Sequence, residues 1–339
     1  MSERPPPEYG ELLDLVRGYQ RSRAITVAAE LGIADLLRDD AQDAEELAAA
    51  TGTHAPTLYR LLRALAAVGV FAETSDGRFA LTSTGQFLRR DHPMSIDPAA
   101  RMFGADHQWQ AWGELAHSVR TGENAAQYAL GTDVWEYRRR HPEQGEIFDA
   151  AMRTFTRADS AGMVAAHDFG RYGTVADVGG GTGAVLAAVL TANPRVRGVL
   201  VDQAHVVAGA PPVLREAGVE DRTTIVSGSF FHGVPAGADA YLLVRILHDW
   251  LDDDAVRILR TVRDALGPDG RVVIIDAVVG PPGDDPATKL LDLMMLVSAG
   301  GRERTLPEWE DLLGAADLRL VGATRAGPTR HVLEVATAG

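Results

Sequence analysis

The chain has 339 residues, of which 46% are hydrophobic and 24% charged, enough for two domains and a substantial core. A formal net charge of −14 disfavours nucleic acid and anionic membranes as partners, because both attract basic surfaces. The absence of cysteine excludes disulfides, thiolate catalysis and Cys-ligated metals. Residues 1–8 are polar and proline-rich with no apolar signal core, and no apolar stretch is long enough for a bilayer, so the expected location is cytoplasmic.

Over residues 9–37, apolar side chains recur at helical spacing: Leu12, Leu15, Val16 and Tyr19, then Ile25, Ala28, Ala29, Leu31, Leu36 and Leu37, with a break at Gly32. Helices are expected at Ala44–Thr51 and 56–68, then a hairpin of 69–73 and 78–81 about Ser75-Asp76-Gly77, then a further helix after Thr82-Ser83-Thr84-Gly85. This order is a winged helix-turn-helix pattern. DNA recognition needs a dense basic face, yet Glu45, Glu46, Glu73 and Asp76 are mixed here with Arg60, Arg63, Arg78, Arg89 and Arg90. Residues 1–100 are therefore expected to form a winged-helix dimerisation domain, with more apolar surface in the first helices than so small a unit can cover.

Residues 101–170 are expected to be a helical linker that contributes to a substrate pocket. Met102, Phe103, Trp109, Trp112, Leu115 and Val119 make one aromatic-rich stretch, and Phe148, Ala151, Met152 and Phe155 a second stripe. Such stripes are core by default, but aromatic and methionine side chains between two domains also suit a flat apolar ligand. Phe148, Met152 and Phe155 are candidate lining residues on that ground, together with Met294 and Ser298 on a helix expected at 287–299.

Residues 171–339 alternate strand and helix. Strands are expected at 175–178, 198–201, 224–227, Ala240–Val244, 272–276, 319–324 and 331–336, and helices at 184–190, 205–217, 253–266, 287–299 and 306–316. The pattern implies an α/β, Rossmann-like parallel sheet with ligands at the carboxyl ends of its strands. The first strand runs into Asp177-Val178-Gly179-Gly180-Gly181-Thr182-Gly183. That spacing differs from a dinucleotide fingerprint and fits the E/D-x-G-x-G-x-G pattern of S-adenosylmethionine methyltransferases. Asp202 closes the next strand, placed to accept two ribose hydroxyls; the bland alternative is a glycine loop with no ligand. The Pro281-Pro282-Gly283-Asp284-Asp285-Pro286 stretch is a loop that could sit over the site.

His248 lies just past Ala240–Val244, on the same rim as the glycine turn. An imidazole titrating near neutrality can take the proton of a phenol as it attacks a methyl donor, provided a partner orients it. Asp276, ending the next strand, and Glu303, in a polar turn, are the two candidates; the alternative is a structural histidine. Asp249 reads as the N-cap of a helix that continues from Trp250. No cluster with metal-ligand spacing is visible.

These motifs together resemble the caffeate-type, class I O-methyltransferases, especially bacterial members of natural-product pathways. The resemblance rests on the winged-helix front, the Asp177–Gly183 turn, Asp202, Gly228-Ser229-Phe230-Phe231, Leu247-His248-Asp249-Trp250 and Glu303-Arg304-Thr305, and covers nearly the whole chain. It implies a homodimer that binds S-adenosylmethionine and a small aromatic acceptor. Gly179 and Gly181 would lie against the cofactor, Asp202 would hold its ribose, Phe230 would pack on the adenine, and Arg245 and Thr156 would approach its other end. His248 would be the base, flanked by Asp276 and Glu303. Two positions depart from the family: Ser229 stands where an Asp usually meets the adenine amine, and Asp276 where the usual acid is Glu. Two other readings stay open: a family member that binds S-adenosylmethionine but hydroxylates, decarboxylates or cyclises, and a winged-helix regulator that senses a ligand.

Overall fold

The computed structural model describes residues 6–284 and 286–339; residues 1–5 of the proline-rich start and Asp285 of the expected loop lie outside the described residues. The chain forms two compact units. Unit 1 runs to Trp109 and resumes over His141–Thr154, whereas unit 2 comprises Gln110–Arg140 and Phe155–Gly339. The helical stretch 101–170 is thus shared between the two units.

Unit 1 opens with helices Pro7–Val16, Gly18–Glu30 and Ile33–Leu36, the last two separated at Gly32, whose φ of 66° is left-handed. Asp43 and Glu46 form a capping box at the start of Ala44–Thr51. Helix Ala55–Ala67 buries Leu58, Leu62 and Leu65, one face at helical spacing. Strands β1 (Phe71–Glu73) and β2 (Phe79–Leu81) then pair antiparallel as the wing. Ile33, Leu47, Leu62, Phe71 and Phe79 pack together as the core of this unit. The Pro7–Val16 helix buries none of its residues; Leu12, Leu15 and Val16 are 63%, 78% and 66% exposed.

Unit 2 is built on a seven-stranded sheet of β3 (Thr174–Val178), β4 (Arg197–Asp202), β5 (Thr223–Ser227), β6 (Ala240–Val244), β7 (Arg271–Ala277), β8 (Leu318–Arg325) and β9 (Arg330–Thr337), in the order β5-β4-β3-β6-β7-β9-β8. The β-branched and leucine-rich strands β3, β6 and β7 are buried on both faces, as parallel strands between helical layers must be. Leu186, Leu190, Leu200 and Leu214 pack one layer, and Ile258, Leu259, Trp309 and Leu313 the other. The order reverses between β3 and β6, so the carboxyl ends of these strands open a crevice at the switch point.

Three expectations need correction. The sheet is not wholly parallel: β9 runs antiparallel to both β7 and β8. Only residues 326–329 connect β8 to β9, too few for the crossover a parallel pair requires. The single helix expected at 205–217 is two, Ala204–Val207 and Ala210–Glu216, because Pro211-Pro212 favours a fresh first turn. Asp249 is not a helix N-cap. It belongs to a 3₁₀ turn, Leu247–Asp249, and the following helix Asp252–Ala265 starts after Leu251 without a side-chain cap. Trp250 is extended between the two, with φ −123° and ψ 145°. No described helix is long and apolar enough to cross a membrane.

Candidate active site

Beyond β3 the chain turns through Gly179, Gly181 and Gly183, with φ values of 72°, 61° and 81° that disfavour any residue with a Cβ. A Cβ on Gly179 would lie 2.5 Å from Ile246 Cδ1, and one on Gly180 the same distance from the carboxylate carbon of Asp177. At Gly181 a Cβ would meet nothing within 4 Å, so the turn is open there. Burial, and then the neighbouring Asp202, push the Asp177 carboxyl up to about 7.

Asp202 ends β4 beside this turn. Its Oδ2 accepts the Gly181 N–H at 2.8 Å and its Oδ1 the Gln203 N–H at 2.6 Å. Each oxygen keeps a lone pair, so the carboxylate can still accept two hydroxyls. Phe230, half-buried, packs against Phe231 and Trp250 at ring-centroid distances of 5.0 and 6.1 Å. It also faces the glycine turn: its Cε1 would be 3.4 Å from a Cβ at Gly179. Ser229 Oγ accepts the Phe231 N–H at 3.3 Å, so this hydroxyl is partly spent on its own turn. Arg245, just past β6, holds a left-handed φ of 55°, uncommon for a residue with a side chain. It is half-buried and donates to the Thr156 hydroxyl. Burial, and next the Arg330 charge, lower it to about 10, so it stays cationic at neutral pH. A vicinal diol at Asp202, a flat ring at Phe230 and a carboxylate at Arg245 are what these groups fit. S-adenosylmethionine carries all three.

His248, 6% exposed, sits in the 3₁₀ turn that follows β6. Its Nδ1 is 2.7 Å from Glu303 Oε1 and 3.4 Å from Asp276 Oδ1, and its Nε2 is 3.7 Å from Asp249 Oδ1. Both candidate acids therefore meet the imidazole, and Glu303 is the one that hydrogen-bonds it. The ligand-type atoms of His248, Asp276 and Glu303 lie within 4.8 Å of one another, a grouping that no sequence spacing announces. Burial alone lowers the imidazole, but Asp276, Asp249 and Glu303 outweigh it and lift it to about 9. Asp249 is raised by burial to about 6, and Asp276 is raised by burial against the pull of His248.

The loop that carries Glu303 also fixes the histidine's backbone. Gly301 is the required residue there, since a Cβ would fall 2.1 Å from the His248 carbonyl oxygen. The Arg302 N–H donates to that oxygen at 2.9 Å. Arg304, 1% exposed, donates to the carbonyls of Leu247 at 3.0 Å and Trp250 at 2.9 Å and to Asp252 Oδ1 at 2.7 Å. Glu303 N–H donates to Asp292 Oδ1 at 2.8 Å, which anchors the acid from behind. Sequence reasoning singled out none of Asp292, Arg304 or Arg330 for these roles. Arg304 lay inside a quoted motif, whereas Arg330 had no local signal at all.

The candidate acceptor-lining residues are all half-buried. Phe148 and Met152 belong to unit 1, and Phe155, Met294 and Ser298 to unit 2. Ser298 Oγ donates to the Met294 carbonyl at 2.8 Å, inside its own helix.

Comparison with known proteins identifies the family. Residues 112–319 match the O-methyltransferase domain family and residues 13–91 the O-methyltransferase dimerisation domain family. A phenazine O-methyltransferase of Lysobacter antibioticus is 42% identical over 96% of this chain and 95% of its own. An 8-amino-8-demethylriboflavin N,N-dimethyltransferase of Streptomyces davaonensis is 39% identical, with 97% of each chain covered. Among solved structures, an O-methyltransferase from neocarzinostatin biosynthesis, bound to S-adenosylmethionine and 2-hydroxy-5-methyl naphthoic acid, superposes with a TM-score of 0.83. It is 37% identical, covering 93% of this chain and 95% of that one.

Proposed function

This chain belongs to the caffeate-type class I O-methyltransferase family with S-adenosylmethionine as its cofactor, and from that premise we propose that it methylates a phenolic or enolic hydroxyl of an aromatic or polyketide-like secondary metabolite, with His248 as the general base. The observation that carries the reading is the 2.7 Å bond from His248 Nδ1 to Glu303, which leaves Nε2 as the nitrogen available to an acceptor. Aromatic acceptors in the names of the relatives, a phenazine and a naphthoic acid, support the substrate class.

When bound, the cofactor supplies an electrophilic methyl group on a sulfonium. Asp202 takes its ribose hydroxyls, Phe230 and Ser229 its adenine, and Arg245 with Thr156 its carboxylate, while Gly179 and Gly181 admit it close to the backbone. His248 Nε2 accepts the acceptor's hydroxyl proton as the oxygen attacks. Glu303 and Asp276 balance the imidazolium that results, and Glu303 keeps the ring in one orientation. Phe155, Met294 and Ser298, all of unit 2, line the acceptor. An arylamine acceptor is a second reading, favoured by the N,N-dimethyltransferase among the relatives.

The dimerisation domain pairs two copies of the chain through the uncovered apolar face of Leu12, Leu15 and Val16. Light scattering at micromolar concentration is expected to give twice the chain mass, and Leu12→Asp with Leu15→Asp to halve it. A monomeric wild type contradicts the dimer.

Asp202→Ala is expected to weaken S-adenosylmethionine binding by about a hundredfold or more, since each of the two ribose hydrogen bonds to a charged group contributes about 1.5–3 kcal/mol. Isothermal calorimetry checks this, and unchanged affinity removes Asp202 from the cofactor site.

His248→Ala is expected to lower kcat about a hundredfold or more with cofactor affinity nearly unchanged. The pH profile has a definite sign. Only neutral His248 accepts a proton, and its carboxylate neighbours hold the imidazole at about 9. The wild-type kcat/KM is therefore expected to climb with pH beyond neutrality, through a limb well above the ordinary histidine value. A rate that is flat with pH, or a variant with wild-type kcat on a neutral phenol, contradicts the base.

A further inference from the structure

Arg330 opens β9, opposite Ala277 and one rung from the Asp276–His331 pair. Its side chain is 11% exposed, and its Nη1 lies 3.8 Å from Asp276 Oδ1. Among the described residues its Nε and Nη1 make no hydrogen bond, and neither does Asp276 Oδ2. Two guanidinium nitrogens buried without hydrogen bonds are costly, so the charge itself is what this position supplies to Asp276.

The need for that charge follows from the cluster. When His248 is neutral and able to take a proton, Asp276 and Glu303 face each other as two carboxylates around an uncharged ring. Like charges at such distances in a buried site resist joint ionisation, and the cluster then holds its proton. The groups facing it from the packed elements are His248 and Asp249 on the 247–249 turn, Asp276 on β7, Glu303 on its loop, Arg330 on β9 and Arg245 after β6. Beyond these, Arg138 faces Asp249, Asp292 faces Glu303 and Asp159 faces Arg245. His331, the backbone partner of Asp276, has Arg325 and Asp284 as its own charged neighbours. Among the described residues, Arg330 is the guanidinium in ion-pair range of Asp276.

We propose that Arg330 is a positioning residue for the reaction: its fixed charge balances Asp276 and lets the His248–Asp276–Glu303 cluster give up its proton, so that His248 can act as the base. The inference rests on the reading of His248 as base and goes beyond it. Removing a positive charge raises the proton affinity of the whole cluster, wherever within it the proton resides.

The test is the titration of ¹⁵N-labelled His248 by NMR in the ligand-free chain, beside the pH profile of kcat/KM. Arg330→Gln is expected to move the His248 titration up by about one pH unit, so that kcat/KM falls about tenfold at neutral pH and approaches wild type at alkaline pH. Arg330→Lys keeps the charge and is expected to keep the wild-type titration. If Arg330→Gln does not fold, Asp276→Asn alone is compared with Asp276→Asn/Arg330→Gln, and the double variant is expected to titrate higher. An unmoved titration in folded Arg330→Gln, or equal titrations in that second pair, overturns the role of Arg330. A titration that moves while the rate limb stays put supports the charge balance and removes His248 as the base.

Discussion

A buried imidazole held among three carboxylates is the interaction on which the rest of this site depends. His248 is bonded to Glu303 at 2.7 Å, with Asp276 and Asp249 at 3.4 and 3.7 Å. Burial disfavours the charged ring and the acids favour it, and the acids win. Such an arrangement gives a strong base only if the cluster can also be discharged. Too much negative charge would leave the histidine permanently protonated, and too little would leave it a weak acceptor. The guanidinium of Arg330 beside Asp276 falls on that balance.

The fold supplies this cluster from distant parts of the chain. β6 delivers the histidine turn, β7 delivers Asp276, the loop before the last helix delivers Glu303, and the antiparallel return of β9 brings Arg330 to the same rim. Gly301 packs against the His248 backbone and Arg304 donates to the Leu247 carbonyl, which ties the histidine turn to the glutamate loop. Asp276 approaches Nδ1 only to 3.4 Å, and the direct hydrogen bond goes to Glu303. On the other side of the switch point, the same rim carries the glycine turn and Asp202. The glycine turn with Asp202 and the His248 cluster thus share one rim at the carboxyl ends of the strands.

Much of this was legible in the sequence because it is local. The glycine turn and the strand ending in Asp202 are written within a few residues of each other and appear at or near their expected bounds, whereas the apolar stripe over residues 9–37 forms three helices and not two, with a break at Arg17 that the spacing did not mark. The winged-helix order was equally readable from its turn residues. What local pattern could not carry was decided by long-range pairing. The direction of β9 follows from its short connection to β8, and Arg330 meets Asp276 only because of that direction. Asp249 looked like a helix cap because an acid before a helical pattern usually is one. The carbonyls of Leu247 and Trp250, held by Arg304, instead keep the turn apart from the helix that follows. The division of residues 101–170 between two compact units also depends on packing that no single stretch reveals.

Transfer of a methyl group to an acceptor oxygen is measured most directly on the product. The purified chain is incubated with S-adenosylmethionine labelled with ¹³C at its methyl group and a panel of phenolic, enolic and arylamine metabolites, and products are read by mass spectrometry and NMR. The expected product is an acceptor heavier by one labelled methyl, with the ¹³C signal at an oxygen-bound position. Label found only on nitrogen, or a transformed acceptor with no label, would contradict it.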